Sequence, residues 1–237
     1  VSPVSVLIVD YVVNPCPAGD IDGDCEVTLG DLQLFAMQWL DPAGCSGLNC
    51  GDLIDGDGVN FADMVILSES WLDTFGPVVI NEFMAKNAST NPDDSRESWE
   101  VFDETGEPTD WIELYNVSDI PISMNGWYLT DDPDNLTQWA FPSNVTLQPK
   151  SFLLIYASGK GIVSGDYLHT NFSLTETGEY LALIAPGGKI VSEYKEVNNG
   201  FPPQEVNISY GLFSYLTEHR YFYPATPNRP NKNSAMG

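Results

Sequence analysis

Positive charge is the scarcest commodity in this chain of 237 residues: 9 Lys and Arg face 34 Asp and Glu, a formal net charge of −25. Residues 1–76 hold 13 of the acidic side chains and no Lys or Arg at all, while the rest holds 21 acidic and 9 basic ones. That balance excludes nucleic acid as an expected partner, because phosphate binding draws its affinity from Lys and Arg. Long apolar runs are absent too, so no membrane-spanning helix is expected. Histidine occurs only at His169 and His219, each near a strand, where a lone histidine is more often structural than catalytic. No Gly-x-Ser-x-Gly turn, P-loop or zinc-protease helix occurs. The chain by itself is therefore not expected to be an enzyme. Cysteine is missing everywhere after Cys50.

What is present begins with that clustering. Cys16, Cys25, Cys45 and Cys50 lie in a small segment too short for a large core, which suggests two disulfides and an oxidising compartment. Of the three pairings, Cys16–Cys25 with Cys45–Cys50 is preferred because each closes a short loop. Zinc is the lesser alternative, since Cys45-x4-Cys50 is a loose spacing with no histidine near. A segment at −13 with no internal cation repels itself, and a bound divalent metal is the expected remedy.

The same segment repeats itself at a shift of 32 residues. Asp20 falls on Asp52, Val27 on Val59, Thr28 on Asn60, Asp31 on Asp63 and Trp39 on Trp71. Each copy is an acidic loop followed by a short helix, expected over Leu32–Leu40 and Met64–Leu72. Leu32, Phe35, Ala36, Trp39 and Leu40 share one helical face, as do Met64, Leu67, Ser68, Trp71 and Leu72. Neither stripe is buried alone, so the helices are expected to pack together with both tryptophans between them.

Loop one, Asp20 to Asp31, has twelve residues. Calcium takes six to eight oxygens, supplied by such a loop from positions 1, 3, 5, 7, 9 and 12. These are Asp20, Asp22, Asp24, the Glu26 carbonyl, Thr28 through water, and Asp31. Cys25 stands where such a loop usually has glycine for its sharp turn, and a disulfide through Cys25 is one way to hold that turn. Loop two, Asp52 to Asp63, keeps Asp52, Asn60 and Asp63 in register. Its other carboxylates have moved to Asp55 and Asp57, so either the backbone bulges or the site has fewer ligands.

From Val78 the texture becomes that of short strands separated by Gly, Pro and Asn. Strands are expected at Val78–Met84, Trp111–Asn116, Gly126–Thr130, Gln138–Phe141, Phe152–Tyr156, Tyr180–Ala185, Lys189–Tyr194, Ile208–Phe213 and Arg220–Tyr223. This spacing predicts an all-β immunoglobulin-like sandwich behind a small all-α calcium-loop domain. Residues 87–109 read as an inserted surface loop. Glu82, Asp110 and Glu113 offer carboxylates of the kind that run glycoside hydrolysis, though bonding to loop backbone is the simpler reading. Asp131, Asp132 and Asp134 read more simply as a solvated turn than as a third metal site. The domains expected are a stub at 1–15, the calcium-loop domain at 16–75, the sandwich at 77–230 and a linker at 231–237 toward a further region. The linker texture already begins at Pro224. The apolar opening Val1–Val9 lacks a basic flank and reads as a stub or the remnant left by a removed signal.

Two families resemble these segments. The paired Asp-x-Asp-Gly-Asp type loops, each followed by Asp-Leu or Asp-Met and an apolar helix, resemble a type I dockerin over residues 16–74. That resemblance implies calcium and docking to a cohesin through loop positions 10 and 11, here Leu29 with Gly30 and Phe61 with Ala62. None of these four is the Ser/Thr often found there, so a neighbouring domain of the same chain competes with a cohesin-like partner. Val79-Ile-Asn-Glu-Phe-Met84, Asp110-Trp-Ile-Glu-Leu-Tyr-Asn116, Gly126-Trp-Tyr-Leu-Thr-Asp131, Leu168-His-Thr-Asn-Phe172 and Gly178-Glu-Tyr-Leu-Ala-Leu183 resemble bacterial lamin-tail domains across residues 77–230. This implies an adhesive or positioning module of secreted or cell-surface proteins, with no catalytic residues. The expected role is a non-catalytic calcium-binding interaction module of a secreted multidomain protein, with cell-surface or polysaccharide-associated proteins as further partners. The alternatives are the accessory part of a polysaccharide-degrading hydrolase and a cell-surface spacer.

Overall fold

The computed structural model describes residues 16–40, 45, 48–54, 58–69, 76–88, 100–161, 163–164, 167–213 and 218–231. Two helices come first, α1 (Leu29–Gln38) and α2 (Phe61–Glu69). Thirteen strands follow: β1 (Val78–Met84), β2 (Trp111–Asn116), β3 (Ile122–Ser123), β4 (Tyr128–Thr130), β5 (Trp139–Ala140), β6 (Thr146–Leu147), β7 (Phe152–Tyr156), β8 (Val163–Ser164), β9 (Tyr167–Leu168), β10 (Leu181–Ile184), β11 (Ile190–Tyr194), β12 (Ser209–Phe213) and β13 (Glu218–Phe222). All their pairings are antiparallel.

The main sheet runs β13-β12-β1-β2-β7 and faces a second sheet, β11-β10-β4-β5. Between them lies one apolar cluster that includes Ile80, Phe83, Ile112, Leu114, Trp127, Leu129, Leu183 and Tyr194. This is an immunoglobulin-like sandwich, as the strand texture led one to expect. Phe83 is the hub, its ring 4.9 Å from Tyr194 and 4.7 Å from Phe201.

Strand β1 departs from simple alternation. A bulge between Ile80 and Glu82 shifts its register against β2. Ile80 and Phe83 both enter the core, so Asn81 and Glu82 both turn to the outer face, as an extra residue in one strand permits. The bulge brings β1 hard against β12: a Cβ on Gly211 would lie 2.2 Å from the Asn81 carbonyl oxygen.

The helices differ from their expected bounds. Each begins three residues earlier, at loop position 10. The cause is a capping box, in which the Thr28 hydroxyl accepts from Gly30 N at 3.2 Å and Asp31 accepts from Thr28 N at 2.7 Å. Asn60 and Asp63 repeat it in α2, at 2.7 Å from Ala62 N and 2.9 Å from Asn60 N. The buried stripe is also narrower. Phe35 and Leu67 are buried with Ile21, Val27 and Val59, and Leu32, Leu34, Leu53 and Trp39 pack around them. Ala36, Leu40 and Met64 are exposed. Trp71, which was expected beside Trp39, lies outside the described residues.

The expected linker is corrected over its first half. Residues 224–231 form a strap packed on the outer face of the main sheet, with Ala225 fully buried. The described ends of the expected surface loop at 87–109 are likewise anchored. Asn87 Nδ2 donates to the Val101 and Thr109 carbonyls at 2.6 and 2.8 Å, and Val101 and Asp103 are buried.

Candidate metal centre

Both expected disulfides are formed, Cys16–Cys25 and Cys45–Cys50. Cys25 has φ +67°, in the left-handed region that normally favours glycine. The disulfide thus stands in for the glycine of loop position 6.

Loop one folds on its own carboxylates. Asp20 accepts from Gly23 N at 2.8 Å and Cys25 N at 3.1 Å, Asp22 from Asp24 N at 3.2 Å, and Asp24 from Glu26 N at 2.8 Å. These bonds bring one carboxylate oxygen from each of Asp20, Asp22 and Asp24 within 4.8 Å of one another. Burial without a counter-charge pushes the Asp20 and Asp24 carboxyls up to about 6, and raises Asp22 as well. Asp31 sits apart as a brace, fully buried, accepting from Ile21 N at 2.7 Å and Asp22 N at 3.2 Å through one oxygen and from Thr28 N through the other. Thr28 spends its hydroxyl on the helix cap, and the Glu26 carboxylate pairs with Lys189 at 3.2 Å.

Loop two repeats the brace: Asp63 accepts from Leu53 N at 2.6 Å, Ile54 N at 3.0 Å and Asn60 N. Asp52 accepts from Gly58 N at 3.1 Å through Oδ2. Its Oδ1 is buried and has no hydrogen-bond partner among the described residues. Such an orphaned acceptor is costly unless something meets it. Asp55 and Asp57 lie outside the described residues. The four expected partner-reading residues open the helices. Leu29 and Phe61 are about three-quarters exposed, at 73% and 74%, and Ala62 is exposed while Gly30 is half-buried. Phe61 meets Trp39 edge-on at 5.4 Å, and Met37, Met64 and Val65 extend the apolar surface.

Of the six ligands expected for calcium in loop one, Asp20, Asp22 and Asp24 are brought together, whereas Asp31 and Thr28 are engaged with backbone amides. Three carboxylates converge on one volume, and hard oxygens are the donors this cation prefers. The second group of nearby donors, Cys16, Asp20 and Cys25, is not a metal site, because both sulfurs are spent in the disulfide. Asp131, Asp132 and Asp134 form no such group among the described residues. Their turn is tied instead by Thr130 Oγ1 to the Asp132 and Asn135 carbonyls at 2.9 and 3.0 Å.

The outer sheet face is used to hold residues 224–231 in place. Glu82 and Glu113 are register partners across β1 and β2, and both are fully buried. Glu82 accepts from the Ser209 hydroxyl and from Thr226 N and Oγ1, at 2.9 and 2.7 Å. Glu113 accepts from Asn228 N and from Asn81 Nδ2, the latter at 2.8 Å. Asn231 closes the strap, donating to the Asn81 and Leu212 carbonyls at 3.0 and 2.7 Å. Burial pushes Glu113 up to about 8 and raises Glu82 also. Asp110, raised to about 6 by burial, accepts from Asn87 N at 2.8 Å. All three acids thus bond to loop or strap backbone, the simpler of the two readings.

One further constellation has the shape of a relay. His169, fully buried, lies 2.9 Å from Ser158 Oγ through Nδ1 and 2.8 Å from Glu104 Oε2 through Nε2. Tyr156 stacks on its ring at 5.0 Å. The amides a developing oxyanion would need are engaged: Gly159 N donates to Phe172 O and Gly161 N to Thr170 O, both at 2.9 Å. Lys160 N is turned onto Ser158 Oγ itself at 3.2 Å. The arrangement binds the 104 turn to the end of β7. His219, the other histidine, pairs with Glu196 at 2.6 Å.

Two facing antiparallel sheets around one apolar core, with a polar clamp on the outer face, define an immunoglobulin-like sandwich. More narrowly, the lamin tail domain family matches residues 73–198, and the chain belongs to that family. The structure carries the module past the matched span, since β12 pairs with β1 and β13 with β12. No curated protein matches the chain. No helix among the described residues is long and apolar enough to cross a membrane, and two disulfides fit a non-cytoplasmic protein.

Proposed function

We propose that this chain is a non-catalytic, calcium-binding interaction module of a secreted multidomain protein, in which a dockerin-like unit is joined to a lamin-tail sandwich. The observation that carries this reading is the convergence of Asp20, Asp22 and Asp24 within 4.8 Å, in a loop whose second copy leaves a buried Asp52 oxygen unmet among the described residues. Calcium, when bound, supplies the positive charge that a segment without Lys or Arg lacks. The chain's own residues do the rest. Asp31 and Asp63 brace the loops, the capping boxes start α1 and α2, and the disulfide holds the left-handed turn at Cys25. The partner surface is the exposed apolar patch at Leu29, Phe61 and Met64 around Trp39. A cohesin-like protein is the partner of choice.

Metal analysis tests this reading. The chain is stripped with chelator, equilibrated with calcium and passed through a desalting column. At least one calcium per chain is expected, falling by one in Asp22→Ala/Asp24→Ala. Retention of no calcium rejects the metal reading. Hydrolysis of a polysaccharide by the purified chain rejects the non-catalytic one.

A further inference from the structure

Loop one does not stand free of the sandwich. The Cys16–Cys25 disulfide is buried against Val79 of β1, Leu212 of β12 and Val117, with Tyr115 of β2 beside it. Cys25 is fully buried, although it lies between two ligand positions of the loop. Cys16 Sγ lies 3.9 Å from the Val117 carbonyl oxygen in van der Waals contact, and that oxygen accepts from Lys150 Nζ at 2.6 Å. Two further loop residues face the same domain. A Cβ on Gly23 would lie 3.6 Å from that of Asp119, and Glu26 reaches Lys189 near β11. Gly23, Cys25 and Glu26 flank or occupy the stretch from Asp22 to Asp24. The residues that shape the calcium loop are therefore the residues that touch the sandwich. An exposed ion pair such as Glu26–Lys189 contributes little by itself, so the apolar seat of the disulfide carries the contact.

We infer that the outer face of the main sheet, at Val79, Val117 and Leu212, is the docking surface for loop one, and that calcium occupancy and this docking are a single coupled equilibrium transmitted through Cys16–Cys25. This rests on the calcium reading of loop one. The physical reason is geometric. The amides of Gly23 and Cys25 bond to Asp20, so any rearrangement that opens the ligand set also moves the disulfide out of its seat. Coupling is reciprocal: a docked loop holds calcium more tightly by the factor with which calcium favours docking. Stabilisation then reaches the sandwich, which has no calcium ligand of its own in this scheme.

The test is thermal unfolding of the full chain, read at the sandwich tryptophans, with calcium in large excess and with chelator. Calcium binding is measured in parallel by titration. For the native sequence the sandwich transition is expected to rise by about 5 °C or more with calcium. In Cys16→Ser/Cys25→Gly, glycine keeps the left-handed turn and calcium is still bound, but the sandwich transition no longer moves. Val79→Ala/Val117→Ala, altered only on the sandwich side, reduces the shift by at least half while leaving the loop intact. Calcium bound with no shift in the native chain overturns the coupling and leaves the calcium reading standing. A full shift in both variants also overturns it. No calcium bound by the native chain rejects the calcium reading itself.

Discussion

At the scale of single residues, the least expected feature is the use of charge. Glu82 and Glu113 bond to backbone as expected, but the backbone is that of the strap, and both carboxylates are fully buried beneath it. Alternation puts Glu113 on the outer face between Ile112 and Leu114, but the bulge beside Asn81 obscures the facing of Glu82, and the strap that covers both acids lies far along the chain. Glu113 gives a test with a definite sign. Its folded carboxyl titrates near 8 against about 4.3 in an unfolded chain. Its stabilising contribution is complete below the unfolded value and is lost as pH rises through the folded one. Sandwich stability should therefore fall between pH 6.5 and 8 at up to about 1.4 kcal/mol per pH unit. The window lies above Asp110, raised only to about 6. Glu113→Gln should flatten the slope, as denaturant unfolding at several pH values will show. Asn231 gives a second test. Its truncation to Ala leaves the Asn81 and Leu212 carbonyls without their donor and should cost about 1–3 kcal/mol. A loss below about 0.5 kcal/mol would mean that the strap does not hold the sheet.

Among elements, legibility followed length. Strands β1, β2 and β7 have the bounds their residues announced, because strands of five to seven residues with four or five apolar positions leave a clear trace. Strands β3, β6, β8 and β9 are two residues each, too short for any period, and were not anticipated. The helix starts were misplaced, although Thr28-Leu-Gly-Asp31 and Asn60-Phe-Ala-Asp63 carry the capping signature in plain view. The strap falls within the expected sandwich bounds up to residue 230 yet has the texture of a linker, because Pro and Asn serve both roles. Two substitutions test the sheet account. Phe83→Ala opens a cavity among Tyr194, Phe201 and Tyr210 and should cost about 3–5 kcal/mol, read by chemical denaturation. Gly211→Ala drives a methyl into the Asn81 carbonyl, and should break the β1–β12 pairing. Hydrogen exchange will show whether protection is lost there first.

On the scale of the whole molecule, two kinds of stabilisation divide the chain. The sandwich rests on a large apolar core and a hydrogen-bonded outer clamp. The N-terminal unit has a small core of Ile21, Val27, Phe35, Val59 and Leu67, two short helices and a dense set of acids. Its disulfides and, on the reading advanced above, its calcium make up the difference. The candidate site was legible at Asp20, Asp22 and Asp24 because a liganding loop writes its spacing into the sequence. The seat of Cys25 on the sandwich was not, because contacts far apart along the chain leave no local pattern. The central claim is tested most directly by isothermal titration of calcium into the chelator-stripped, disulfide-intact chain, with Asp20→Ala/Asp24→Ala as the control. Saturable heat corresponding to at least one site, with one site lost in the control, is the predicted result. Absence of heat in the native chain, or the same heat in the control, would contradict it.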